Sequence, residues 1–182
     1  MTAWPRVLWS EAGQITARLD WPVTRDAALP PETFYAALRA EAMLAEAVLY
    51  LAQALSRRDA IAWSVEAIER QGSAPVQPVL AAARAWLDDP SDARRNDADQ
   101  LAREATPGSA EHHLATAIHF SGGSILPPGE PAVLPPLDAC GRFAGAAIIA
   151  AATRTADFDE ALRAALDEGE RFARGERDES WT

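Results

Sequence analysis

The stretch FYAALRAEAMLAEAVLYLAQAL, residues 34–55, decides the fold class. Leu44, Val48, Leu51 and Leu55 recur at the spacing of one α-helical face, and Phe34, Leu38, Ala42, Ala45 and Leu49 make a second stripe. A helix apolar on two faces belongs in the middle of a bundle. The helical period starts at Glu32 and is expected to run unbroken to Leu55, where Ser56-Arg57-Arg58-Asp59 supplies an S-x-x-D cap that restarts the chain as a new helix.

Downstream the same period continues. The helix after Ser56 carries Ile61, Val65 and Ile68 inward with Trp63 beside them, and Gly72 is expected to close it. Pro75 and Pro78 open a third helix with Val79, Ala83, Trp86 and Leu87 on its inner side. Asp89-Pro90-Ser91-Asp92 reads as an N-cap followed by a first-turn proline, starting a mostly polar surface helix with a thin stripe of Ala98, Leu101, Ala102 and Ala105. Thr106-Pro107-Gly108-Ser109 starts a fifth helix with Leu114, Ala117 and Ile118 inward. It ends in Ser121-Gly122-Gly123-Ser124, read as termination by a left-handed glycine, before a loop containing Pro127, Pro128, Pro131, Pro135 and Pro136. About a dozen residues without regular structure are unusual in a compact domain and hint at use. Ala139 to Arg154 is a small-residue helix whose Gly141 and Gly145, four apart, let a neighbouring backbone come close. Asp157-x-x-Glu160 caps the last helix, which presents Phe158, Leu162, Ala165, Gly169 and Phe172 to the core.

The first 31 residues differ. They hold Trp4, Trp9 and Trp21, half of the six tryptophans, and end in Leu29-Pro30-Pro31. Val7-Leu8-Trp9 and Ile15-Thr16-Ala17-Arg18-Leu19 flank Glu11-Ala12-Gly13, a pattern that suits either a hairpin or an extended arm across the helices. The expected organisation is a tryptophan-rich arm (1–31), one helical domain (32–175) and a frayed acidic tail (176–182). The fold class is therefore all-α: about seven helices as an irregular bundle or stacked hairpins, with a short extended or hairpin arm. No fixed-period repeat is visible, which disfavours a regular solenoid.

Composition narrows the function classes. A chain of 182 residues suits one ordinary domain with a real core. Its net charge of −10 opposes nucleic-acid binding, because phosphates need clustered cations. The acidity is concentrated in the second half and suits a solvated surface or a basic partner. A single cysteine, Cys140, cannot form an internal disulfide. The longest apolar stretch, Ala144 to Ala152, falls far below the roughly 20 residues that cross a bilayer, so no membrane insertion is expected. The amino-terminal residues reach Ser10-Glu11 before an apolar run of signal-peptide length forms, and a cytoplasmic protein is expected.

Candidate chemistry is sparse. Lysine is absent, and the histidines are confined to His112, His113 and His119. His112 and His119 lie seven apart, roughly 10 Å along a helix, too far to share an ion directly. Glu111, His112 and Cys140 would have to converge in space to make a metal site; capping or surface histidines and a structural cysteine account for them more simply. Ser121-Gly122-Gly123-Ser124 follows a helix, whereas a phosphate cradle precedes one. Arg57 and Arg58 could read a carboxylate or phosphate, and cations in a helix's first turn work against its dipole. Salt bridges to Asp59 or neighbouring acids are the ordinary alternative. Trp4, Trp9 and Trp21 are harder to bury in a short arm, and tryptophan is enriched at interfaces. With Ile125, Leu126, Arg57 and Arg58, they make up the candidate protein-interaction residues; no catalytic, cofactor or metal residue is assigned.

Four segments, in order, carry a resemblance: Leu55 to Trp63, Ala85 to Ser91 with Arg94-Arg95, Phe120 to Pro128, and Phe143 to Ala152. Together they resemble an uncharacterised family of bacterial helical proteins, across roughly Glu32 to Arg174. The resemblance implies an accessory protein encoded near type VI secretion genes, with no catalytic residues to transfer. The expected function is a non-catalytic protein-interaction module, an adaptor or chaperone of a secretion machine, with a protein partner and room for homo-oligomers. Two alternatives stand beside it: an immunity protein binding a toxin through its acidic surface, and a small hydrolase or metal enzyme centred on His112 to Cys140.

Overall fold

The computed structural model describes residues 4–71, 77–126 and 129–176. Gly72, Pro75, Pro127, Pro128 and the tail from 177 lie outside the described residues. Among those described, the fold is all-α: α1 (Ala12–Thr16), α2 (Pro31–Ala40), α3 (Leu44–Ala54), α4 (Arg57–Arg70), α5 (Gln77–Asp88), α6 (Asp92–Glu104), α7 (Ala110–His119), α8 (Ala139–Ala152) and α9 (Phe158–Arg174).

The centre is built from α3, α4 and α8. Residues 50–54 of α3 with Leu55 after them, and residues 60–65 of α4, are buried without interruption. Cys140, Ala144, Ala147, Ile148, Ala151 and Ala152 of α8 are wholly enclosed. α8 packs on α7, α4, α3 and α9, and the expected close approach is present. A Cβ on Gly141 would stand 3.0 Å from the Ala52 carbonyl oxygen, and one on Gly145 would stand 3.3 Å from Cα of Leu49. α9 comes equally close on its other side: a Cβ on Gly169 would lie 2.6 Å from the indole ring of Trp63, itself fully buried. The Trp63 Nε1–H donates to the Ala165 carbonyl at 2.8 Å, so the largest core side chain is also satisfied.

Several caps lie where the sequence placed them. Ser56 accepts from the Asp59 amide at 3.1 Å, and Asp157 accepts from the Glu160 amide at 2.9 Å. Ser109, last residue of the Thr106–Ser109 start, caps α7 by accepting from the His112 amide. One cap is displaced: Ser91, not Asp89, is the N-cap of α6, which begins after Pro90. Phe158, expected in the core, is more than a third exposed, and the inward stripe of α9 begins one turn later at Leu162.

Two expectations are corrected. The arm is neither hairpin nor extended strand: it winds into α1 and 3₁₀ turns at Ala17–Leu19 and Arg25–Ala28, with no strand among the described residues. Glu11 and Gln14 cap α1 reciprocally, and Ile15 and Leu19 enter the same core as the long helices. The Ile15 to Leu19 run that resembled alternation is a helical turn followed by a tighter one.

The second correction is the break between α2 and α3. Ala42 adopts the left-handed conformation, φ 56°. The Met43 amide donates to Leu38 O at 2.9 Å and the Ala42 amide to Arg39 O at 3.1 Å, the paired bonds of a Schellman termination. Neither glycine nor proline marks the spot, so the helical period reads straight through it. An alanine there carries the steric cost of its Cβ, about 1–2 kcal/mol. Replacing Ala42 with glycine relieves that cost and adds some unfolded-state entropy, leaving an expected net gain of about 0.5–1 kcal/mol. Thermal unfolding should show the melting temperature of Ala42→Gly rising by a few degrees; a fall would mean that the turn is not strained.

Candidate functional site

The residues singled out in the arm are engaged within the chain. Trp4 is buried and packs edge-on against Tyr35 with ring centroids 5.0 Å apart. The Trp9 Nε1–H donates to the Gln53 carbonyl at 3.2 Å, and the Arg18 guanidinium lies 4.5 Å from the centre of the Trp9 ring. Trp21 stacks on Tyr50 at 6.4 Å. The expectation that these tryptophans have few intramolecular claims is therefore corrected. Once α1 docks, its flanks lie against α2 and α3, where Tyr35, Gln53 and Tyr50 receive them.

Arg57, Ile125 and Leu126 gather around the loop after α7. Arg57 donates to the Ser121 carbonyl at 3.0 Å, while its neighbour Arg58 is exposed. The Ser124 hydroxyl oxygen accepts from the amides of Leu126 at 3.1 Å and Val133 at 3.2 Å, and the Ile125 amide donates to Val133 O at 2.8 Å. These bonds close the neck of the proline loop. Beyond it Val133, Leu134 and Leu137 are exposed, and Leu137 O accepts from Arg18 at 3.0 Å.

The glycines of this loop serve a purpose that the sequence did not reveal. Arg95 of α6 is almost fully buried, and its guanidinium donates to the Gly122 and His119 carbonyls while pairing with Asp92 at 2.5 Å. Gly123, φ 57°, leaves the space that the guanidinium occupies; any Cβ there would overlap it. α7 ends at His119, so Gly123 is too far along to terminate the helix. Arg95 and Gly122 stand 27 residues apart, so no local pattern pairs them.

Reactive groups are quiet. Burial pushes the Cys140 thiol up to about 12, which suppresses thiolate at neutral pH. His113 is held below the usual imidazole range by burial and by His112, whose ring lies 5.4 Å away. Glu111 is held low by hydrogen bonds from Arg154 at 2.6 and 2.7 Å. Among the described residues, no three His, Cys, Asp or Glu side chains are placed to hold a metal.

Among the described residues, one concave feature with unspent chemistry is a groove of about 410 Å³ between the arm and the α2–α3 corner. That is within the range of about 300–1,000 Å³ typical of binding pockets. Asp20, φ 56°, turns the chain back so that the Trp21 amide donates to Thr16 O at 3.1 Å, and the Ala12 amide donates to Leu29 O at 2.8 Å. These bonds fix Trp21 and Leu29 as one wall. Phe34, 5.1 Å from Tyr50, stands with Leu38 and Met43 on the other. Asp26, Glu41 and Glu46 line it as well, and none of the three forms an ion pair among the described residues. A second hollow of about 290 Å³ lies between α4 and α9, but its buried Glu168 is already paired with Arg70 at 2.9 Å and Arg171 at 3.2 Å. Of the candidate interaction residues, Trp21 alone lines the first groove; Phe34 and Leu38, read from the sequence as a core stripe, line it too.

Arg95 sets the shape of the α7–α8 connection. Replacing it with methionine leaves the Gly122 and His119 carbonyls without their buried donor, a loss of about 2–3 kcal/mol. Urea unfolding should show the midpoint of Arg95→Met falling accordingly, with lysine at that position rescuing only part; an unchanged midpoint would mean that the buried guanidinium contributes nothing net.

No match appears among curated proteins, and none among solved structures. A family model described as a family of unknown function, DUF6931, matches residues 34–173, which takes in every helix from α3 to α8 and most of α2 and α9. The chain belongs to the DUF6931 family.

Proposed function

We propose that this chain is a non-catalytic protein-interaction module, an adaptor or chaperone-like accessory protein, and that its working surface is the groove between the arm and the α2–α3 corner. The observation that carries this reading is a concave apolar surface with an aromatic side chain on each wall, Trp21 on one and Phe34 on the other, beside a core that takes up most of the apolar helix faces. Aromatic anchors in a groove are the usual centres of protein interfaces. Met43 and the neighbouring Val23 are exposed at its edge, where a partner would cover them. A place beside a secretion machine is the finer part of the proposal and rests on the four-segment resemblance, while a place in the cytoplasm rests on the polar Ser10-Glu11 break in the amino-terminal segment.

A photo-crosslinking residue at Ala37, an exposed groove position, tests the reading in the native host, with Ala93 on exposed α6 as the control. The expected result is a light-dependent adduct with one partner protein from position 37, none from position 93, and loss of the adduct in a Met43→Arg background. Absence of an adduct at position 37, or the same adduct from both positions, would contradict it.

A further inference from the structure

We infer that the groove takes a basic protein segment, one that sets a large apolar side chain beside arginine or lysine. This rests on the reading of the groove as a docking surface and names the chemistry of its occupant. The walls, Trp21, Leu29, Phe34 and Met43, fit an apolar anchor. The acids specify what must flank it. Asp26 and Glu41 are exposed and Glu46 is half-buried, and none has a cationic partner among the described residues. On the same helix, Arg39 draws both Asp167 at 2.8 Å and Glu170 at 2.6 Å, so α2 settles its charge on one side and leaves it open on the other.

Glu41 makes the field stronger. It is the C-cap of α2, where the helix already presents its partly negative carbonyl end. A carboxylate there works against helix stability, whereas a cation would be favoured. The free carboxylates and the helix terminus thus point the same way: to positive charge arriving from outside. Other occupants fit less well. The segment after Glu176, Arg-Asp-Glu-Ser-Trp-Thr, has a tryptophan anchor but is net acidic, and a second copy brings a net charge of −10 with the same acidic rim. Both are repelled by the groove's own charge.

The probe is a fluorescently labelled amphipathic peptide with leucine on one face and lysine on the other, titrated by anisotropy. Two triple variants separate the groove from the general acidity of the chain. One is Asp26→Asn, Glu41→Gln and Glu46→Gln; the other is Asp88→Asn, Glu104→Gln and Glu130→Gln, which removes the same charge from exposed positions elsewhere. The groove triple is expected to weaken binding about tenfold, the effect of three modest ion pairs, and the control triple by less than about twofold. A peptide with glutamate in place of lysine should not bind, nor one with serine in place of leucine. Equal losses in the two triples, or binding of the glutamate peptide, would overturn the inference. If position 37 still crosslinks to a partner while the groove triple binds the lysine peptide normally, the groove docks a segment of other chemistry and this inference alone fails. If position 37 gives no adduct, the docking reading fails with it.

Discussion

Three glycines stand where the central helices approach so closely that an added Cβ would force its neighbours to give way, and the rest of the structure is arranged around that contact. Gly141 and Gly145 bring α8 onto the backbone of α3, while Gly169 lets α9 pass over Trp63 and Leu51. Polar groups at this depth are satisfied by bonds that a looser packing would not reach. The Ser64 hydroxyl on α4 lies 3.0 Å from Ala144 O on α8, the Gln53 amide on α3 donates to Asp138 O at 2.6 Å, and Trp63 reaches α9. Close packing and hydrogen bonding therefore reinforce one another at the α3–α8 and α4–α9 contacts. Apolar surface is used up in the middle, and what remains open is pushed to the edges: the arm groove and the leucines after the proline loop.

The edges are held by arginine. With no lysine in the chain, every side-chain ammonium role falls to the guanidinium, whose planar fork can serve a carbonyl and a carboxylate together. Arg95 does so at Gly122 and Asp92, and Arg142 does so at the Arg18 carbonyl and Asp138. Arg57 and Arg18 donate to Ser121 O and Leu137 O. Irregular segments leave backbone carbonyls without helix or sheet partners, and these four arginines reach several of them. Asp26, Glu41 and Glu46 stand out by place: they rim an apolar groove without an ion pair among the described residues, and that combination carries its proposed preference for a basic partner.

The legible part of the fold was the part that obeys a period. Leu44, Val48 and Leu51, the Ser56 and Asp157 caps, and the small-residue stripe of α8 each follow from spacing and cap chemistry, and the all-α class follows from them. What escaped depends on contacts that no local pattern records. Ala42 breaks a helix in a conformation usually given to glycine, so nothing punctuates the α2–α3 corner. Arg95 reads as one more surface charge on a polar helix until the Gly122-Gly123 turn folds over it. The tryptophans of the arm looked free because their partners Tyr35, Gln53 and Tyr50 belong to other elements. The groove was hidden for the same reason: its walls belong to different elements, brought face to face by the turns at Asp20 and Ala42, and Trp21 was singled out for its residue type without a view of what lay opposite.

The contact at Gly169 can be weighed directly against helix propensity. In mid-helix, alanine is favoured over glycine by about 1 kcal/mol where nothing touches the new methyl group. At Gly169 the methyl group would meet the Trp63 ring and Leu51, and overpacking of this kind costs about 1–3 kcal/mol. Guanidinium unfolding of Gly169→Ala, with Gly122→Ala as a reference whose Cβ meets nothing within 4 Å, separates the two effects. A lower midpoint for Gly169→Ala, with Gly122→Ala close to the parent, is the predicted result. A higher midpoint for Gly169→Ala would contradict a fold organised around helices packed too tightly for a side chain.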